Sequence, residues 1–299
     1  MTGRSAPTDR TLQELTAFGV LNLDKPPGPP SHQVVTWIKD LLGIDRAAHA
    51  GTLDPKVSGC LPILLGDATR LAQALLVGEK SYVAVLELHG PAPADTMDIL
   101  SEFENEIYQK PPRKSAVSRR LRSRNISELN ALEVEDRRIL LYVACESGTY
   151  IRKLCHDLGM VLGTGGHMGE LRRTKTEPFD DRDLVTLHEV SEAVTLADAG
   201  DTEVLRTMIQ PGERALSHLP KVVIAPSAAA TVAHGSPVFA PGVIRYDADV
   251  AERALVACVS PDDSAVCLGR LVGDPSSDTG EVVSLERVLV NAEDGNPSA

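Results

Sequence analysis

The 299-residue chain has no Cys-x-x-Cys pair and no apolar run near the roughly 20 residues that a bilayer crossing needs. Its cysteines, Cys60, Cys145, Cys155, Cys258 and Cys267, are scattered singly. Without close pairs no metal site is expected, and an odd count argues against a disulfide framework. Each thiol is expected to act as a small buried apolar group. The opening MTGRSAPTDR is polar and lacks the apolar core of a signal peptide, so no membrane contact is expected and the chain reads as cytoplasmic. Lysine is also scarce, because most of the basic residues are arginine.

What is present is acid. Asp and Glu number 42 against 30 Lys and Arg, a net charge of −12 spread along the chain. An evenly acidic, lysine-poor composition suits a protein working in high salt, and at first sight it argues against a nucleic-acid partner. One stretch runs against that background. From Lys110 through Arg113, Lys114, Arg119, Arg120 and Arg122 to Arg124 there are seven positive charges and no acid. A charge run is often no more than a solvated face. In so acidic a chain, a concentrated basic patch points to phosphates.

The length allows one large domain and a smaller one, each with its own core. Ser31 is placed to cap a helix through Leu42, with Val34, Val35 and Ile38 on one face and Gly43 as its stop. A second helix is expected over 67–77, with Leu71, Leu75 and Leu76 inward. Period-two alternation predicts strands over 81–89, 129–135 and 139–146, the last two joined at Asp136-Arg137. Ile151, Leu154, Cys155, Leu158 and Leu162 form a helical stripe ending at Gly163. Helices and strands mix without a βαβ rhythm. The fold class is therefore α+β, with a mixed, mainly antiparallel sheet. After an acidic helical stretch over 184–216, the composition turns to short strands and Gly/Pro/Asp turns, which predicts a small C-terminal β-barrel-like domain. Residues 1–216 and 217–292 are read as the two domains, and 293–299 as a disordered tail.

Common cofactor signatures fail. Gly163-Thr164-Gly165-Gly166-His167-Met168 has Met168 where a dinucleotide fingerprint needs its third glycine, and it follows a helix rather than a strand. No Walker lysine pattern exists, and His188-Glu189 lacks the second histidine of a zincin. An Asp-nucleophile phosphatase would need a second acid two residues after Asp54, where this chain has Lys56.

Asp54 sits in His49-Ala50-Gly51-Thr52-Leu53-Asp54-Pro55, a run of turn formers between two helical stretches. Taken alone it is an ordinary turn. It stands, however, in a longer series: Leu23-Asp24-Lys25-Pro26-Pro27-Gly28, then this run continuing to Gly59-Cys60-Leu61-Pro62, then Lys80-Ser81-Tyr82. Pro111-Pro112 with Ser115-Ala116-Val117 follow, then Gly148-Thr149-Tyr150-Ile151-Arg152-Lys153-Leu154, and last Gly166-His167-Met168-Gly169-Glu170-Leu171-Arg172-Arg173. In order and spacing these blocks resemble the pseudouridine synthases of the TruB and dyskerin family, and the resemblance covers both domains.

The resemblance implies isomerisation of uridine in RNA with an aspartate nucleophile, a flipped-out base, and no cofactor or metal. It implies Asp54 as the nucleophile, attacking sugar or base, with Arg152 keeping that carboxylate ionised and oriented. Tyr82 would stack on the flipped uracil and assist proton removal at C5. His49 would help displace the nucleotide, Tyr150 would be a second pocket aromatic, and Leu171 an apolar wall. Lys25, Pro26 and Gly28 would brace the loop, and Lys110, Arg113, Lys114, Arg119 and Arg120 would contact the RNA backbone. Pro30 departs from the family, which has threonine there, and as a pre-cap residue it is expected to be tolerated. The C-terminal domain resembles a PUA domain, a small RNA-binding barrel. The strings around Gly166–Arg173 and Leu219–Ile224 resemble the archaeal branch, which works with a box H/ACA guide RNA and small partner proteins. Both tRNA position 55 and guided rRNA uridines remain open as targets. A non-catalytic RNA scaffold is the alternative, and it would not need Asp54, Tyr82 and Arg152 together.

Overall fold

The computed structural model describes residues 4–111, 118 and 120–290. Arg113, Lys114, Arg119 and the tail 293–299 lie outside the described residues. The first sheet is built from β1 (Phe18–Lys25), β2 (Ala47–His49), β3 (Ser58–Gly66), β4 (Lys80–Leu88), β5 (Glu106–Gln109), β6 (Arg122–Glu135), β7 (Arg138–Cys145), β8 (Gly166–Thr176), β9 (Phe179–Asp180) and β10 (Ile209–Pro211). Its order is β10-β1-β3-β8-β4-β7-β6-β5, with β2 on β3 and β9 on β8. Every pairing in it is antiparallel except the short β3–β8 contact, Ser58 opposite Arg172 and Gly59 opposite Arg173. The fold is therefore α+β with a mainly antiparallel sheet.

Local chemistry explains most of these elements. The helix Ser31–Leu42 stops at Gly43, whose φ of 63° is the left-handed conformation glycine adopts without strain. Its cap differs from the sequence reading: Pro30 is the N-cap, and the Ser31 hydroxyl is used elsewhere. The segment over 67–77 divides into a 3₁₀ turn, Asp67–Leu71, and a short helix, Ala72–Val77. Leu71 and Leu75 are buried there, while Leu76 is exposed against the expectation, because it faces a cleft instead of the core. The β6–β7 hairpin turns at Asp136, with φ 39°, as expected. Strand β8 was not anticipated, since its run GHMGELRRTKT has no alternating apolar face.

The second sheet holds β11 (Lys221–Ile224), β12 (Val238–Phe239), β13 (Val243–Tyr246), β14 (Leu255–Val259), β15 (Ala265–Leu271) and β16 (Glu281–Val288), ordered β12-β16-β15-β14-β11-β13. All five residues of β14 are buried, and alternation sends them to two different cores. Val256 and Cys258 join the small unit's own core, while Leu255 and Ala257 pack with Phe18, Val20, Leu71 and Leu216 of the larger one. The two sheets therefore share a core as well as owning separate ones. A buried Arg10–Glu213 pair reinforces the joint with bonds of 2.7 and 2.8 Å, and Glu213 also accepts the Ala265 N–H at 3.0 Å. All five cysteines are free and buried, with burial pushing the thiols of Cys60 up to about 11 and of Cys145 and Cys155 up to about 12.

Candidate active site

Asp54 stands at the tip of a loop that almost every neighbour holds still. Lys25 ends β1 fully buried, and its ammonium donates to the carbonyls of Pro26 (2.9 Å), Pro55 (3.1 Å) and Val57 (2.8 Å). Three donors meet three acceptors, which is what makes a buried lysine tolerable, although burial still pushes its pKa down. The Gly28 N–H donates to Pro55 at 2.7 Å, at a φ of 116°. Ser31, released from capping, donates to the Leu53 carbonyl at 3.0 Å and accepts the Leu53 N–H at 2.9 Å. Arg173, 2% exposed, donates to the carbonyls of Cys60 (2.7 Å) and Gly51 (3.2 Å). Leu53 and Val57 are buried on either side, so the backbone is fixed and the Asp54 carboxylate is left half exposed.

The helix Ile151–Val161 delivers Arg152, which forms an ion pair with Asp54; both side chains are about half exposed. Strand β4 delivers Tyr82, opposite Val143 on one side and Arg173 on the other. Burial raises the Tyr82 pKa and the Arg173 guanidinium opposes the rise; the net direction is upward, so the ring is a neutral phenol. A cleft of about 590 Å³, within the range of small-ligand sites, is lined by Asp54, Tyr82, Tyr150, Arg152 and Leu171, with Met168 and Leu76 adding apolar wall.

Two further cations form its floor. Arg173 lines the cleft from below, and Lys80, also buried, donates to Leu75 (2.8 Å) and Gly78 (2.7 Å) carbonyls. Burial first, and the Arg173 charge second, lower the Lys80 pKa to about 8. The floor is thus electropositive, an arrangement that favours an acceptor-rich guest. Both residues fall in motif blocks, yet sequence reading assigned them no role. Lys80 carried an available signal, a cation at the head of an alternating apolar strand run, whereas Arg173 lies in a polar run that carries none.

The structure does not bring His49 into the lining of this cleft. It ends β2 opposite Ile63, half buried, and burial together with Arg173 pushes its pKa down. Lys110 and Arg120 are exposed and flank β5 and β6, which pair through Gln109 and Arg122, so the two cations stand at one end of a hairpin. Arg124 on the same hairpin reaches Glu146 and packs beside Gly148 at the cleft rim. Among the described residues no cluster of three or more His, Cys, Asp or Glu could hold a metal ion, and no helix is long and apolar enough to cross a membrane.

The chain resembles known proteins over nearly all of its length. Residues 39–98 match the profile of the TruB family pseudouridylate synthase N-terminal domain, and residues 152–217 that of the tRNA pseudouridylate synthase B C-terminal domain. Residues 220–276 match the PUA domain and 2–35 the DKCLD domain. A protein of Haloarcula marismortui named probable tRNA pseudouridine synthase B is 60% identical over 97% of this chain and 94% of its own length. A crystal structure of a Cbf5-Nop10-Gar1 complex superposes with a TM-score of 0.92 at 45% identity, covering 97% of this chain and 90% of that one. An H/ACA RNP bound to a substrate RNA containing 2'-deoxyuridine gives 0.89 at 43% identity, with the same coverage.

Proposed function

The chain belongs to the TruB family of pseudouridylate synthases, and we propose that it isomerises uridine in folded RNA with Asp54 as its nucleophile. The target is position 55 of the tRNA T-loop, uridines of rRNA chosen by a box H/ACA guide RNA, or both. The convergence of Asp54, Arg152 and Tyr82 on one cleft carries this reading. A uridine flipped out of its stack enters the cleft, where stacking on Tyr82 contributes about 1–3 kcal/mol. Leu171 and Met168 close the apolar side, and Arg152 orients the carboxylate. The C1'–N1 bond breaks, the ring turns over, a C1'–C5 bond forms, and the C5 proton leaves to solvent while N1 gains one. No redox change occurs, so a carboxylate suffices.

Lys110 and Arg120, with the further cations of their stretch, bind backbone phosphate. The PUA unit holds the end of a guide RNA or of tRNA, and small proteins like those in the Cbf5-Nop10-Gar1 complex complete the particle. We place this work in the cytoplasm of a halophilic archaeon. The buried thiols fit a reducing compartment, and the acidic, lysine-poor composition fits the salt-rich setting of the Haloarcula relative.

The test is tritium release from C5-labelled uridine in tRNA, and in an rRNA fragment with and without guide RNA and partner proteins, at high salt. Release that disappears in Asp54→Asn is the expected result. Full activity in that variant removes the nucleophile assignment, and no release from either RNA by the native chain removes the activity.

A further inference from the structure

We infer that Gln109 is a positioning residue for the Asp54–Arg152 pair, acting through the peptide of Tyr150. The helix Ile151–Val161 has no side-chain cap bond at its start. Its N-cap is Tyr150, and the first turn has no acidic residue. Such a start leaves N–H groups that need partners from elsewhere in the fold. Gln109, at the end of β5 and only 2% exposed, bonds that start from 41 residues away. Its Oε1 accepts the Tyr150 N–H at 2.9 Å, and its Nε2 donates to the Tyr150 carbonyl at 3.2 Å. That carbonyl also accepts the N–H groups of Lys153 and Leu154, each at 3.0 Å, so one peptide is both the first link of the helix and the anchor of the amide.

Phase matters because Arg152 is the second residue of this helix. At 3.6 residues per turn, a start displaced by one residue turns every following side chain by about 100°. In the observed phase Ile151 is buried and Arg152 meets Asp54. A side-chain amide is suited to the task, since it donates and accepts at once in a fixed plane. Alanine does neither, and glutamate can accept from the Tyr150 N–H but sets a second acceptor against the carbonyl. The root of the β5–β6 hairpin, which carries Lys110 and Arg120, is thereby fastened to the helix that carries Arg152.

The inference rests on the reading of Asp54 as nucleophile, and the experiment separates the two. Single-turnover tritium release at saturating RNA is measured across pH for the native chain, Gln109→Ala, Gln109→Glu, Arg152→Ala and Gln109→Ala/Arg152→Ala, with RNA affinity and melting recorded for each. We expect Gln109→Ala to slow release by roughly tenfold to hundredfold, as small misplacements of reacting groups do, while RNA affinity stays within about threefold. Its acid limb should move to higher pH, because a carboxylate that loses its guanidinium binds protons more readily. Gln109→Glu should fall between, and Gln109→Ala should add little to Arg152→Ala, as expected for groups acting as a unit. An unchanged rate and pH profile overturns the inference; so does a loss confined to RNA affinity, or one fully additive with Arg152→Ala. If Gln109→Ala melts too low to assay, the isosteric Gln109→Glu decides by the same pH limb. A native chain that releases no tritium overturns the underlying reading instead.

Discussion

Replacing Lys25 with methionine tests the claim that the catalytic loop is held by a buried ammonium. Methionine keeps most of the side-chain volume and removes all three donors. Of the three carbonyls they serve, Pro55 retains the Gly28 N–H at 2.7 Å, while Pro26 and Val57 lose the ammonium. Left without that partner, the buried Val57 carbonyl costs about 1–3 kcal/mol and the partly buried Pro26 carbonyl at most as much again, up to about 6 kcal/mol together. Part of this is returned because a charge no longer has to be desolvated, the same burial that lowers the Lys25 pKa. A net loss of about 1–4 kcal/mol is expected in urea denaturation at high salt. Because Pro55 and Val57 flank Asp54, tritium release at saturating RNA should fall by a larger factor than occupancy of folded protein accounts for, roughly 10²-fold. Equal stability and equal release in Lys25→Met would refute the argument that this lysine mounts the loop.

Two other outcomes follow from buried charges. Lys80 has a folded pKa of about 8 against an ordinary 10.5, so between those values the unfolded chain holds the extra proton. Stability should therefore gain from Lys80 as pH rises from about 8 to 10.5 and gain nothing from it below 8. Urea midpoints at pH 7, 8.5 and 10 should show a rise in the native chain that Lys80→Met lacks. At the joint between the sheets, Arg10→Met leaves the Glu213 carboxylate buried without its cation and should cost about 3–5 kcal/mol in denaturant melts. The pair Arg10→Met/Glu213→Met should cost clearly less than the two single losses summed, and additive losses would argue against direct coupling.

The chemistry of the site was legible in the chain because its residues lie where local rules already act. A glycine-flanked acid, a tyrosine in an alternating run and an arginine at a helix start are each fixed by neighbours a few residues away, and the order of the motifs supplied the rest. The Asp136-Arg137 turn and the Gly43 and Gly163 stops are of the same kind. Strand β8 was not legible. Its pairing comes from β3 and β4, 78 to 114 residues distant in sequence, and its side chains face a cleft as well as a core, so no period betrays it. Nor could alternation alone reveal that β14 serves two cores.

Sequence by itself, through the order and spacing of its motifs, singled out the candidate groups: Asp54, Tyr82, Arg152 and the apolar Leu171. Tertiary structure alone decided which acceptors the expected Lys25 brace meets, Val57 among them, and added the other holds: Ser31 on Leu53, Arg173 on Gly51 and Gln109 on Tyr150. It also set His49 beside the cleft instead of in its wall. The physical reason is that a reacting side chain is recognised by its own type, whereas a brace is defined by its acceptor. Most of these acceptors are backbone carbonyls, identical at every residue, and only folding selects which of them a buried donor meets.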